Sequence, residues 1–349
     1  MAKRNKSRSA RKRSEEPLIA DILQVPACFR RSVQVELDLA DPQSTGCYVP
    51  TDFIRDSFAR IATAFDPSST RRAWRITGDY GSGKSAFVLS LAKAVSGRAQ
   101  EIPAPLGRAV PQDRVLPVIV TGNREPLLTS ISRSLFEQVK GLPQSRPPAD
   151  MDALLDILNT AGQAAKKRGY SGILLVLDEL GKNLEFAAMH PSGDDVYVLQ
   201  RLAEKAARTR DSVLIVLAVL HQGIASYVAG MDSSTRREWD KVAGRFDEII
   251  FSHPLEQVVE LCAHALAVDL RRVPAEMRLE SQEAMRRAID AGMYGNASAD
   301  ILTNLAPRLF PLHPTVLPIL MNLLRRFGQN ERSLFGFLSG YEPSGLQEH

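Results

Sequence analysis

Apolar and polar positions divide this chain into two regions of different rhythm. Between residues 73 and 251, short apolar or β-prone runs (73–77, 114–120, 173–177, 213–220 and 248–251) alternate with longer segments that are apolar at helical spacing. Such runs predict strands buried on both faces, and the intervening segments predict amphipathic helices. Together they give an α/β fold with a parallel five-stranded sheet covered on both sides. One helix carries Phe53, Ile54, Phe58, Ile61 and Phe65 along one side, with Thr51 as its N-cap. Others cover 85–95 (ended by Gly97), 126–140, a segment with Met151, Leu154, Leu155, Ile157 and Leu158, and 196–208. Upstream, residues 32–39 alternate strictly, which predicts a half-buried strand at the edge of the core. Beyond Pro254 no strand-like run recurs, and helices are expected near 255–270, 282–291, 299–305 and 315–327. The expected division is a basic tail (1–16), a core domain (17–253) and a helical lid domain (254–349).

The length of 349 residues and 44% hydrophobic content agree with about two globular domains. Cys28, Cys47 and Cys262 lie far apart, which argues for free thiols in a reducing compartment. No apolar run is long enough to span a bilayer and no secretory signal is visible, so no membrane association and a cytoplasmic location are expected. The net charge of +4 is unevenly placed: residues 1–13 carry seven basic side chains and no acidic one, leaving the remainder near −3. That tail is expected to be disordered, either as a solvated terminus or as a weak contact to nucleic-acid phosphates.

One stretch carries chemistry without ambiguity of pattern. Gly78, Asp79, Tyr80, Gly81, Ser82, Gly83, Lys84 and Ser85 fit G-x-x-x-x-G-K-[ST], between a β-prone run and a helix that Ala86 continues. Glycines let successive N–H groups close around a phosphate chain. Lys84 would reach the β and γ phosphates of ATP, and the Ser85 hydroxyl would help to hold Mg²⁺. A second motif ends the run 173–177 in Asp178-Glu179. Asp178 at the carboxyl edge of the sheet is placed to bind Mg²⁺ directly or through water. Glu179 is placed to orient and deprotonate a water for attack on the γ-phosphate.

Three further positions are weighed. The run 213–220 ends in the polar residues His221-Gln222, at the place where similar ATPases of the additional-strand type set a γ-phosphate sensor; His221 is slightly preferred over Gln222, with a structural histidine as the alternative. Arg245 precedes the last core strand, either to enter a neighbouring subunit's site or to form a surface salt bridge. Tyr48 to Thr51, upstream of the P-loop, either contacts the adenine base or simply begins a helix.

In these residues the chain resembles the AAA+ superfamily, and within it the initiator-like branch of Orc/Cdc6-type origin ATPases. Shorter strings, Asp178-Glu179-Leu180-Gly181-Lys182-Asn183-Leu184-Glu185, Val219-Leu220-His221-Gln222, Gly244-Arg245-Phe246 and Gln329-Asn330-Glu331-Arg332-Ser333-Leu334-Phe335, are similar to those of the BrxC ATPases of bacterial phage-defence (BREX) systems. The resemblance implies an ATPase that works on DNA within a multi-protein defence or DNA-processing complex, and a homo-oligomer in which Arg245 acts on a neighbour's nucleotide. It also implies a lid that supplies a second sensor arginine. Arg325, Arg326 and Arg332 are candidates, Arg332 being carried forward as a nucleotide contact, with solvated surface arginines as the alternative. The resemblance gives the fold as a P-loop NTPase of the additional-strand, AAA+ type, followed by a small helical lid.

Two function classes compete: an ATP-hydrolysing switch or motor acting on a DNA or protein partner, and a STAND-like signalling switch with slow or no turnover. A P-loop kinase is disfavoured because Glu179 suits water, and a helicase because no later arginine motifs follow Asp178-Glu179.

Overall fold

The short apolar and β-prone runs are strands, and their two faces feed two separate cores. The computed structural model describes residues 22, 25–26, 29, 33–45, 48–66, 68–99, 114–143, 147–190, 195–209, 212–227, 233–327 and 334–339. The basic tail, Cys28, Cys47 and Arg332 lie outside these residues. So do the side chains of Arg325 and Arg326.

Five strands, β1 (Ala73–Thr77), β2 (Leu116–Thr121), β3 (Gly172–Asp178), β4 (Val213–Leu220) and β5 (Asp247–Ile250), form one sheet in the order β2-β3-β4-β1-β5. All four pairings are parallel. The strand inserted between β1 and β3 is β4, so the carboxyl ends of β3, β4 and β1 lie side by side.

Alternation along the strands sorts side chains between the two faces. Ile173, Leu175 and Leu177 pack with Leu214, Val216 and Ala218 against α4 (Leu127–Gln138), α5 (Met151–Lys167) and α7 (Asp195–Arg208). Leu174, Val176, Ile215, Leu217 and Val219 face α2 (Asp52–Ala62) and α3 (Lys84–Ser96). Thr51 caps α2, its side chain accepting from the Ile54 N–H at 3.4 Å, and Phe58 and Ile61 are fully buried. Burial of each such side chain contributes on the order of 1.5–3 kcal/mol. Gly97 ends α3 in the left-handed conformation.

One expected element is different. Residues 33–39 do not form an edge strand; Val35–Asp38 is a short helix, α1. Val35 and Leu39 are buried one turn apart while Leu37 is 70% exposed, and the Gln34 N–H donates to the Asp38 carboxylate at 2.9 Å. A segment this short satisfies a period of 2 and a period of 3.6 equally well, and packing against α3 selects the second. Three helices within the core were not anticipated: α6 (Gly181–Met189), α8 (Ile224–Tyr227) and α9 (Ser233–Ala243).

After β5 come α10 (Leu255–Leu266), α11 (Ala275–Asp290), α12 (Ala299–Leu305), α13 (Val316–Phe327) and α14 (Leu334–Ser339). They surround their own cluster, including Val259, Cys262, Leu266, Met285, Leu302 and Leu317. Cys262 is free and buried there, and burial pushes its thiol well above the usual range. Phe29 packs on this cluster, and the Ile22 carbonyl accepts from the Asp269 N–H at 3.2 Å. Two residues counted with the core by sequence thus rest on the helical part. Among the described residues no helix is long and apolar enough to cross a membrane.

Candidate functional site: a P-loop beside a carboxylate pair

The loop between β1 and α3 has the backbone its sequence requires. Gly81 and Gly83 take φ of 70° and 95°, a region costly for a side-chain-bearing residue. Beyond β1 the chain is braced by β5: the Phe251 N–H donates to the Thr77 carbonyl at 2.6 Å. The Lys84 Nζ donates to the carbonyls of Gly78 at 2.5 Å and Asp79 at 2.7 Å. Burial lowers its pKa to about 8, against the opposing pull of Asp79 and Asp178. Ser85 is half-buried at the start of α3, and Ala86 follows it.

Asp178 closes β3 and is 8% exposed. Burial raises its pKa to about 6, and the charge of Glu179 adds to this; the Glu179 N–H, donating to Asp178 Oδ1 at 3.1 Å, and Lys84 act the other way. The Leu180 N–H donates to the Val219 carbonyl at 3.2 Å, which ties the turn after β3 to β4. Glu179 itself has φ of 52° and its Oε2 lies 2.5 Å from Lys182 Nζ.

His221, at the tip of β4, stacks on the P-loop residue Tyr80 with ring centroids 3.5 Å apart and 14° between planes. Burial, followed by the charge of Lys84, depresses its pKa to about 4, so the ring is neutral at pH 7. Its Nδ1 is buried without a hydrogen-bond partner among the described residues. Gln222 is exposed. The structure therefore brings Lys84, Asp178, Glu179 and His221 to one edge of the sheet, where their charges act on one another.

The other candidates stand apart. Tyr48 packs against Phe58, centroids 6.5 Å apart, with its hydroxyl buried and unpaired among the described residues. Arg245 lies at the amino end of β5, the opposite edge from the P-loop, and pairs with Glu204 of α7 at 3.1 Å. A half-exposed pair of this kind contributes about 0–1 kcal/mol. His253 escaped sequence reasoning. Its ring sits 5.0 Å from that of Phe53 and 5.4 Å from that of Phe251, and it hydrogen-bonds Gln257 and the Ser82 backbone. With Pro254, Leu255, Val258, Met293, Pro318, Met321 and Asn322 it lines a cleft of about 290 Å³ in the helical part that follows β5. A histidine between a strand and a proline gave no periodic signal.

Among the described residues no group of three or more His, Cys, Asp or Glu side chains is gathered to hold a metal unaided. In kind, the Asp178 carboxylate and the Ser85 hydroxyl are hard oxygen donors that would suit a Mg²⁺ completed by phosphate oxygens and water. The raised pKa of Asp178 has a testable consequence for stability. The folded state holds this proton more tightly than the unfolded one, so stability present below pH about 4 is lost as pH rises through 6. Asp178→Asn is therefore expected to stabilise the nucleotide-free protein at pH 8, by at most about 3 kcal/mol, with the gain vanishing near pH 4. Equal melting temperatures for both proteins at pH 8 would refute it.

No protein-family model matches the chain, and no curated protein does. Among solved structures, the ORC2 protein of Aeropyrum pernix, described in ADPNP–ADP complexes, is similar with a TM-score of 0.42 and 17% identity. The match covers 72% of this chain and 66% of that one, so this chain spans less than two thirds of its neighbour's length. Strand order and direction, with the P-loop following β1 and the carboxylate pair ending β3, make this a P-loop NTPase fold of the additional-strand, AAA+ type, followed by helices.

Proposed function

We propose that the chain binds ATP with Mg²⁺ and hydrolyses it, passing the change of nucleotide state to a DNA or protein partner. The observation that carries this reading is the meeting of Lys84, Asp178, Glu179 and His221 at one sheet edge. The P-loop amides from Gly78 to Ser85 and the Lys84 ammonium hold the phosphates, and neutral His221 offers its unpaired ring nitrogen near the terminal one. Bound Mg²⁺, held by Ser85 and Asp178, supplies charge neutralisation at the phosphate oxygens. Glu179 takes the proton of the attacking water. The cleft beside His253 receives the base, with residues 254–349 as the lid over it, and Tyr48 supports the base region through its unpaired hydroxyl. Arg332 remains the proposed second sensor. A DNA partner and a place in a phage-defence assembly rest on the sequence, namely the basic residues of 1–13 and the short strings shared with BrxC ATPases. A cytoplasmic location follows from the same reading.

A second reading, a STAND-like switch with slow turnover, is favoured by the Glu179–Lys182 ion pair, which engages one oxygen of the carboxylate that would otherwise accept the water's proton. Steady-state turnover separates the two.

The oligomer has its own test. Arg245 lies at the edge opposite its own P-loop, so it can serve hydrolysis only in a neighbour's site, after leaving Glu204. Specific activity is expected to rise with protein concentration, and Arg245→Ala to bind ATP yet hydrolyse it at least about tenfold more slowly. Mixing Arg245→Ala with Lys84→Ala subunits should restore activity that neither has alone. A mixture that co-assembles and stays inactive would exclude a trans-acting arginine.

A further inference from the structure

Glu179 is one of three side-chain-bearing residues with positive φ among those described, and its conformation has a visible enabler. In the sheet, Thr121 of β2 is opposite Asp178 of β3. Gly122 follows, and its N–H donates to the Asp178 carbonyl at 2.8 Å, extending the ladder one residue past the strand. The next carbonyl, that of Glu179, points at Gly122 from so close that a Cβ at position 122 would stand 2.1 Å from its oxygen and 2.7 Å from its carbon. Both obstacles are backbone atoms and cannot rotate away like the end of a side chain. The same carbonyl accepts from the Lys182 N–H at 3.1 Å, opening the turn into α6. Behind that turn Asn183 is buried, its Nδ2 donating to the Glu125 carbonyl at 2.9 Å and to Ser130 Oγ at 3.1 Å. The turn therefore has little room to retreat.

We propose that Gly122 is a positioning residue for Glu179: its missing side chain is the space into which the Glu179 carbonyl turns, and this holds residue 179 in the left-handed conformation beside Asp178. A larger residue at 122 would force the 179 peptide to rotate. A left-handed residue that rotates redirects its side chain, so the Glu179 carboxylate would leave its place while P-loop and Asp178 side chain stay. In this proposal Gly122 acts through one glutamate: the nearest atoms to a Cβ at 122 are the Glu179 carbonyl oxygen and carbon, followed by Asn183 Oδ1. The inference rests on the reading of Glu179 as the base.

The test is a double-mutant cycle on turnover, with nucleotide binding measured separately. Gly122→Ala is expected to bind a fluorescent ATP analogue within about threefold of wild type and to lose at least about tenfold in kcat. Added to Glu179→Gln, it should change the residual rate less than about twofold, because two changes acting through one group do not add. A folded Gly122→Ala with wild-type kcat, beside an inactive Glu179→Gln, would overturn the role of Gly122 alone. An additive further loss in the Glu179→Gln background would also overturn it. Wild-type turnover in Glu179→Gln itself would instead remove the base, and this inference with it. If Gly122→Ala does not fold, the coupling is read as stability. Glu179→Gly, whose backbone can leave the clash, should restore the melting temperature of Gly122→Ala, and no recovery would exclude a specific 122–179 contact.

Discussion

Lys84→Ala abolishes triphosphate binding: titration with a fluorescent ATP analogue in the presence of Mg²⁺ is expected to show affinity reduced by at least about 100-fold. The P-loop amides are fixed dipoles and neutralise only part of the charge on three adjacent phosphates. The remaining attraction comes from one ammonium, that of the buried Lys84, with Nζ already at the carbonyls of Gly78 and Asp79. Its lowered pKa adds a signature that a structural role would not produce. Burial brings the group to about 8, and a phosphate beside it would raise that value again. Binding by the wild-type protein should therefore take up a proton above about pH 8, and calorimetry in buffers of different ionisation enthalpy would register it. Near-wild-type affinity in Lys84→Ala would place the phosphates somewhere other than this loop.

Glu179→Gln separates binding from chemistry. The amide keeps the size of the side chain and leaves Asp178 and Ser85 in place, but it cannot accept a proton. ATP should bind with wild-type affinity and persist, while kcat falls by on the order of 10²-fold or more. The partner of the carboxylate, Lys182 at 2.5 Å, makes the size of this loss informative. If wild-type turnover is already very slow and Glu179→Gln barely lowers it, the carboxylate is not acting as a base in the wild-type protein and the signalling reading gains. Fast wild-type hydrolysis that survives the substitution would show that another group activates the water.

Much of this site was legible because its determinants are local. The P-loop is a contiguous turn whose glycines answer a backbone requirement, and strands β3 and β4 are apolar runs whose first polar residues mark the carboxyl edge of the sheet. Position along the chain was then enough to expect Asp178 and His221 at the same edge, since a parallel sheet carries all strand ends of one kind on one side. Thr51 and Gly97 were readable for the same reason, as a cap acts within one turn of the residues that it serves.

What the sequence could not decide was set by contacts between distant segments. Residues 33–39 hold an alternating pattern that fits a strand, yet packing against α3 buries Val35 and Leu39 on one helical face. Helix α6 has only a weak apolar period and α8 is a single turn, so no window of sequence revealed them, whereas α9 is amphipathic and buries Trp239 and Val242, a signal the sequence did carry. The environments of Tyr48 and His253, the pairing of Arg245 with Glu204 across 41 positions, and the closeness of Gly122 to Glu179 across 57 exist only once the chain is folded. By itself, then, the sequence determined which residues can cradle a phosphate, hold a cation and accept a proton, because those are properties of side-chain chemistry and of short turns. The tertiary structure decided which way Glu179 faces and what holds it there, because a carbonyl and a missing side chain exclude each other only where β2 and β3 lie in register.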